Sequence, residues 1–283
     1  MNKKLKFHLA AGVLVLVCLS VWIIWHNTAL VLNKYTISDE CIPNEFSGYR
    51  IIQISDLHNA KMGTHNQKLL ELLRTAKPDM IAITGDLIDS RNTDIDTALQ
   101  FVREAVKIAP CYYVTGNHEA RIAEYDTLRD GLIELGVTVL EDGHCELTSQ
   151  SEKIKLIGIN DPSFSTDYLL GDAESIIDSK LQMLHETDDP FTILLSHRPE
   201  LFQIYVKNNI GLALTGHAHG GQIRLPHFGG LFAPNQGFFP EYDSGLFTDS
   251  NTQMIVSRGI GNSLFPFRIN NRPEVILIEL KSE

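Results

Sequence analysis

Apolar residues fall along this chain in two regimes. From Leu9 to Trp25 they form one uncharged run, LAAGVLVLVCLSVWIIW, directly after Lys3, Lys4 and Lys6. Extended by Phe7 and His8, the run approaches the ~20 residues that cross a bilayer as a helix. Trp22 and Trp25 lie near its far end, where indoles favour the membrane interface. The exit through Trp25-His26-Asn27-Thr28 lacks the small-x-small pattern of a cleaved signal peptide, and a buried helix would show a polar face. The run therefore reads as an uncleaved single-pass anchor over 1–34. Its lysine bias places the N-terminus in the cytoplasm and the body outside the cytoplasm.

The second regime begins after a 35–48 segment, interrupted by Pro43 and Gly48, which reads as a tether. From 49 to 283 short apolar runs alternate with helical spacing. Strands are expected at Arg50–Ser55, Met80–Thr84, Cys111–Thr115, Val137–Leu140, Cys145–Thr148, Lys153–Ile159, Phe191–Ser196, Leu212–Thr215, Gln222–Leu225, Met254–Ser257 and Glu274–Leu280. Helices are expected at Asn66–Ala76, Asp94–Ile108, Ala120–Leu135, Ala173–Glu186 and Glu200–Lys207. Early βαβ units followed by crowded strands predict an α/β (α+β) fold, with two mixed sheets face to face and helices outside. The Phe-, Gly- and Pro-containing stretch 231–247 is too irregular for a helix. It reads as a long loop over the sandwich edge or as an apolar wall beside a ligand site.

Composition narrows the partners. With 43% hydrophobic and 21% charged residues, the chain of 283 residues has globular proportions. Lys3, Lys4, Lys6 and Lys34 are the formal charges before Tyr35, so the rest carries 20 basic against 35 acidic residues, a net −15. Such a body repels a nucleic-acid backbone, and no nucleic-acid partner is expected. The four cysteines show no CxxC spacing, which argues against a zinc finger or a disulfide framework.

The chemistry lies at the ends of the apolar runs. Ile51 to Ser55 leads to Asp56-Leu57-His58; in an extended chain these two side chains project to one side. The second run ends in Thr84-Gly85-Asp86-Leu87-Ile88-Asp89, where Gly85 permits a sharp turn. The third ends in Thr115-Gly116-Asn117-His118-Glu119. Later runs deliver His197, and then Gly216-His217-Ala218-His219. Each block alone is common and ordinarily means a polar loop. Five strand tips carrying carboxylates, an amide and imidazoles together suit two divalent transition-metal ions, such as Mn, Fe, Zn, Co or Ni, rather than an oxygen-only calcium site.

These blocks resemble the calcineurin-like metallophosphoesterase signature, from about Tyr49 to Glu279. The stretches 216–222, Ser257-Arg258-Gly259-Ile260-Gly261 and Asn271-Arg272-Pro273-Glu274 are similar to the membrane-associated bacterial branch of YkuE- and YaeI-like phosphodiesterases. That branch often has Thr where this chain has Ala218. The resemblance implies a four-layer αββα sandwich and a dinuclear centre. By position, Asp56, His58, Asp86 and His219 would hold one metal; Asp86 would bridge, and Asn117, His197 and His217 would complete the other. A hydroxide between the metals would attack phosphorus. Asn117 would also touch the phosphate, and His118 would orient the phosphoryl group and protonate the leaving oxygen. Asp89, Glu119, Arg198 and Gln222 would support the ligands or touch substrate, Arg198 being equally readable as a surface helix-start arginine. Asp161 reads as a turn initiator, with a place lining the cleft as the alternative.

The expected activity is hydrolysis of a phosphodiester or pyrophosphate bond. The anchor and family analogy suggest a lipid-linked substrate such as a UDP-diacylglucosamine-like molecule. The alternatives are a non-catalytic scaffold of the same fold or a protein or phosphomonoester phosphatase. Oligomeric state is not legible.

Overall fold

The computed structural model describes residues 3–170, 172–185, 191–262 and 265–283. Five strands come first: β1 (Val31–Asp39), β2 (Arg50–Ile54), β3 (Met80–Thr84), β4 (Cys111–Val114) and β5 (Thr138–Val139). Next are β6 (Gly143–Ser149), β7 (Glu152–Gly158), β8 (Thr192–Leu195) and β9 (Leu212–Thr215). Two-residue ribbons follow as β10 (Arg224–Leu225) with β11 (Gly229–Gly230), and β12 (Phe232–Ala233) with β13 (Gly237–Phe238). The chain closes with β14 (Gly245–Asp249), β15 (Thr252–Val256) and β16 (Glu274–Ser282). The helices are α1 (Lys3–Thr28), α2 (Gln67–Ala76), α3 (Ile95–Ala105), α4 (Tyr125–Glu134), α5 (Ala173–Leu184) and α6 (Phe202–Lys207).

The strands form two six-stranded mixed sheets, ordered β1-β16-β2-β3-β4-β5 and β14-β15-β9-β8-β7-β6. Strands buried on both faces read as continuous apolar runs, and their alternation divides them between layers. Ile52, Ile54, Ile81 and Ile83 pack outward with Leu69, Phe101 and Leu128 of α2, α3 and α4. Ile51, Met80 and Ala82 face Ile193, Leu195, Leu212 and Leu214 across the sandwich. Leu194 and Ala213 pack outward on Ile177, Leu181 and Tyr205 of α5 and α6. The result is the four-layer αββα sandwich. Near its top Gln53 bridges the sheets, its amide donating to Thr84 Oγ1 at 3.2 Å and to the Thr215 carbonyl at 2.8 Å.

The structure departs from the sequence expectation in several places. The tether over 35–48 is not a free linker. Residues 31–39 pair in parallel with β16 as an edge strand, because Tyr35 and Ile37 alternate into the inter-sheet core while Leu32 faces the other side. The helix expected from Ala120 begins at Tyr125, since residues 119–121 form a 3₁₀ turn that directs Glu119 inward. The strand expected at 222–225 shrinks to Arg224–Leu225, with Gln222 in a left-handed conformation (φ 59°). The α5 helix ends at Leu184, and Glu186 lies outside the described residues.

Helix α1 is long and apolar enough to cross a membrane. Its one buried residue is His26, in the last turn. There Asn27 Oδ1 accepts from the Arg268 amide at 2.8 Å, and Arg272 donates to the Ala29 and Leu30 carbonyls at 2.8 Å each. The Arg272 guanidinium also lies 4.6 Å from the Trp25 ring centre. The helix is thus bolted to the body at its C-terminal end.

Candidate metal centre

The carboxyl ends of β2, β3, β4, β8 and β9 converge, which is where open α/β sheets present their sites. The route to convergence differs from the simple strand geometry expected for Asp56 and His58. Both lie beyond β2 in left-handed conformations (φ 51° and 45°), as do Asp86, His217 and His219 (φ 51°, 64° and 49°). Non-glycine residues adopt that region at a cost of order 1–3 kcal/mol each, which surrounding structure must offset. Gly85 (φ 85°) makes the expected turn after β3. Gly216 is needed for a different reason: a Cβ there would overlap Ser55 Oγ and the Asp56 carboxylate.

Among the described residues, two groups of buried donors share Asp86. Asp56, His58, Asp86 and His219 form one; Asp86, His197 and His217 form the other. In the first, His58 Nε2 and His219 Nε2 face each other at 3.1 Å. His58 Nε2 is 3.5 Å from Asp86 Oδ2, and His219 Nε2 is 3.2 Å from Asp56 Oδ1. In the second, His197 Nε2 lies 3.3 Å from Asp86 Oδ2 and 3.2 Å from His217 Nδ1. Asn117 Oδ1 is buried without a donor. Facing imidazole nitrogens, carboxylate oxygens and an orphaned amide oxygen fit divalent cations in both places.

Supporting contacts fix these orientations. The Nδ1 atom of His197 donates to the Thr84 carbonyl at 2.8 Å, which directs Nε2 into the centre. On His217, Nε2 contacts Asn235 Oδ1 at 3.0 Å, leaving Nδ1 toward the centre. The Asp56 carboxylate accepts from Ser55 Oγ at 2.6 Å and from the His217 amide. Glu119 accepts from four backbone amides, those of Asp86, Leu87, Ile88 and Gly116 at 2.8–3.3 Å, and so pins the β3 and β4 tips together. The His118 amide donates to Asp86 Oδ1 at 2.8 Å. Its Nδ1 accepts from the Ser90 amide at 3.0 Å and lies 3.5 Å from Asp89 Oδ1, while Asp89 is itself engaged by Arg91.

Burial and charge act against each other here. Burial, with the Asp86 charge, pushes the Asp56 carboxyl up to about 6 despite His197. The Asp86 carboxyl, which burial alone would raise, is held well below the usual range by His197, His58 and His118. His197 is correspondingly pushed up to about 10 against burial by Asp86, Asp56 and Asp161. Burial lowers His58 to about 4 and carries His217 and His219 well below ordinary imidazole. Asp86 and His197 thus each favour the charged form of the other.

The centre opens into a cleft of about 160 Å³ lined by, among others, Arg91, His118, Arg121, Tyr168 and Asn235. Arg198 also lines it. It is buried, which excludes the surface-arginine reading, and donates bidentately to Asp161, Nη2 to Oδ1 at 2.9 Å. Asp161 does initiate the turn at Ser163, as expected, but it also holds this guanidinium. Gln222 does not reach the centre among its described contacts: its amide donates to the Phe265 and Phe267 carbonyls.

Several supporting residues have no assigned role in the sequence reading. Arg268 is buried with Nη2 3.4 Å from His219 Nδ1 and is bonded to the Arg258 and Gly261 carbonyls. Asn271 donates to the His219 carbonyl at 2.7 Å. The 271–274 stretch was visible as a motif, which is the signal that could have singled out Asn271. Asn235 had none, lying in the irregular segment between β12 and β13.

The sequence pattern of the calcineurin-like phosphoesterase family matches residues 49–221. The chain is similar to the metallophosphoesterase YkuE of Bacillus subtilis, 29% identical over 254 residues, covering 88% of this chain and 85% of that protein. It is also similar to the phosphodiesterase YaeI of Escherichia coli, 25% identical over 237 residues and 82% of each. The solved structure of TT1561 of Thermus thermophilus superposes with a TM-score of 0.51 at 13% identity, covering 76% of this chain and 91% of that one, a likeness of fold.

Proposed function

This chain belongs to the calcineurin-like phosphoesterase family, and from that premise we propose a dimetal phosphohydrolase acting on phosphodiester or diphosphate bonds. The carrying observation is the pair of buried donor groups that share Asp86. Asp56, His58, Asp86 and His219 hold one divalent ion; Asp86, Asn117, His197 and His217 hold the other. When bound, two such ions lower the pKa of water and clamp the oxygens of an in-line displacement. Manganese suits this mixed N/O set, as do Fe, Zn, Co and Ni.

The protein's own groups do the rest. Asp86 keeps the two metal positions adjacent, and Glu119 holds its loop. His118 presents Nε2 to the cleft, because Nδ1 is occupied by the Ser90 amide. From there it donates to the phosphoryl or leaving oxygen. Asn117, next to it, aligns the phosphoryl group. Arg198, oriented by Asp161, faces the developing negative charge. The apolar helix α1 anchors the body, and the lysine bias of its N-terminal side favours an extracytoplasmic body. A membrane-held hydrolase of this kind suits a lipid-linked phosphoester.

The test is turnover of bis-p-nitrophenyl phosphate and of a diphosphate diester by chelator-stripped protein given Mn²⁺. Activity that appears only with metal supports the assignment. A metal-loaded chain inert on both compounds would sink it and leave the scaffold alternative.

A further inference from the structure

The segment that reaches the cleft through Pro234 and Asn235, and the loops next to it, carry apolar residues that the phosphoester chemistry does not use. Phe228, at the tip between β10 and β11, is 74% exposed, and Phe238 of β13 is 72% exposed. Leu225, Phe239, Phe265 and Phe267 are exposed as well. These residues come from three segments that are tied together, the two ribbons being joined where the Leu231 amide donates to the Ile223 carbonyl at 2.7 Å. Gln222 donates to the Phe265 and Phe267 carbonyls, Ile223 bridges Ile269, and the Arg224 amide donates to the Ile269 carbonyl at 3.0 Å. The β12–β13 ribbon carrying Phe238 also carries Asn235 at its turn, and Asn235 lines the cleft.

The same loops meet the end of α1. Asn27 accepts from the Arg268 amide, its own amide donates to the Arg268 carbonyl, and Asn262 reaches both Asn27 and the Pro266 carbonyl. Arg268 in turn approaches His219. A helix whose last turns carry Trp22 and Trp25 is thus joined, without an intervening tether, to the loop bearing Phe265 and Phe267. If α1 spans a bilayer, its C-terminal end lies at the interface, and these loops lie there with it.

We propose that the apolar rim formed by Leu225, Phe228, Phe238, Phe239, Phe265 and Phe267 rests in the leaflet from which α1 emerges. The cleft then opens onto that leaflet and takes a phosphoester from a lipid headgroup. The occupant is a lipid surface rather than a protein because the rim is continuous with the membrane end of α1. Attraction is apolar, since the body beyond Tyr35 carries a net −15 and gains nothing from anionic lipid. The docking half rests on α1 spanning the bilayer; the substrate half rests also on the phosphoesterase reading.

The experiment uses the full chain in nanodiscs of phosphatidylethanolamine and phosphatidylglycerol, with Trp22→Phe and Trp25→Phe removing native indole emission. Single tryptophans are introduced as Phe228→Trp, Phe238→Trp and Phe267→Trp, with Met183→Trp on α5 as control. Acyl-chain bromination should quench the three rim positions at least about twofold more than position 183, with little dependence on salt. Quenching at all three no greater than at 183 overturns the docking. In parallel, Phe228→Ser with Phe238→Ser should lower turnover of a vesicle phosphodiester lipid about tenfold while sparing bis-p-nitrophenyl phosphate. Equal losses on both overturn the lipid substrate. Rim quenching in a protein that hydrolyses neither compound would sustain docking and count against the phosphoesterase reading itself.

Discussion

The backbone amide of Ser90 donates to His118 Nδ1 at 3.0 Å, and this contact fixes the imidazole proton on Nε2, toward the cleft. Burial lowers the His118 pKa despite Asp86 and Asp89, so the neutral form extends below the ordinary imidazole range. A hydrogen-bond donor to the leaving oxygen matters most when that oxygen leaves as a poor anion. His118→Ala should therefore cost roughly 10²–10³-fold in kcat on an alkyl diester and distinctly less on a p-nitrophenyl diester. Equal losses on the two leaving groups would argue that His118 only shapes the loop.

Glu119 is the strongest structural dependency near the centre. Replacing it with Gln keeps the shape but turns an NH₂ toward two of the four amides it now accepts from. Leaving buried donors unpaired costs about 1–3 kcal/mol each. Glu119→Gln should lower apo-protein stability by about 2–4 kcal/mol and weaken metal binding as well. Urea unfolding with m unchanged is the measurement, and a stability within experimental scatter of wild type would refute the pin.

Asp161 supplies a pH signature. With Arg198 bonded to it, its carboxyl is held down to about 2 against the effect of burial. A depressed folded-state pKa contributes stability above the unfolded value, near 3.9, that is lost as pH falls toward 2. The loss amounts to roughly 2–3 kcal/mol over that window. Asp161→Asn should be less stable at neutral pH, because Arg198 loses its buried partner, and its stability should fall less steeply between pH 4 and 2. A parallel pH slope in the variant would contradict the assignment.

Metal loading should release protons. His197 holds its proton up to about 10 in the metal-free chain, and Asp56 begins to hold one below about 6. Both must be deprotonated to ligate, so affinity should rise with pH through neutrality. Calorimetry in buffers of different ionisation enthalpy should find about one proton released near pH 8 and more below pH 6. A proton count of zero at pH 8 would mean that His197 does not ligate.

The residues of the two donor groups were legible because they sit at the tips of apolar runs, so local chain order alone assigns them to the sheet edge. Asp56 and His58 show the limit of that reasoning: they converge through two left-handed residues rather than through extended alternation. Glu119 could be read as a loop pin because it follows the ligand block directly. Asn235 and Arg268 could not, since their contacts with His217 and His219 arise from loops whose pairing is set by distant segments. The edge strand β1 was hidden for a similar reason. Its alternation is short and mixed with polar residues, and its partner β16 lies at the other end of the chain.

The central claim is that Asp86 is shared by two metal positions. It is tested most directly by elemental analysis of the full chain, purified without chelator and equilibrated with Mn²⁺, beside Asp86→Asn. The account predicts about two metals per chain in wild type and no more than about one in the variant, with diester turnover lost. One metal or fewer in a folded wild type, or two in Asp86→Asn, would contradict it.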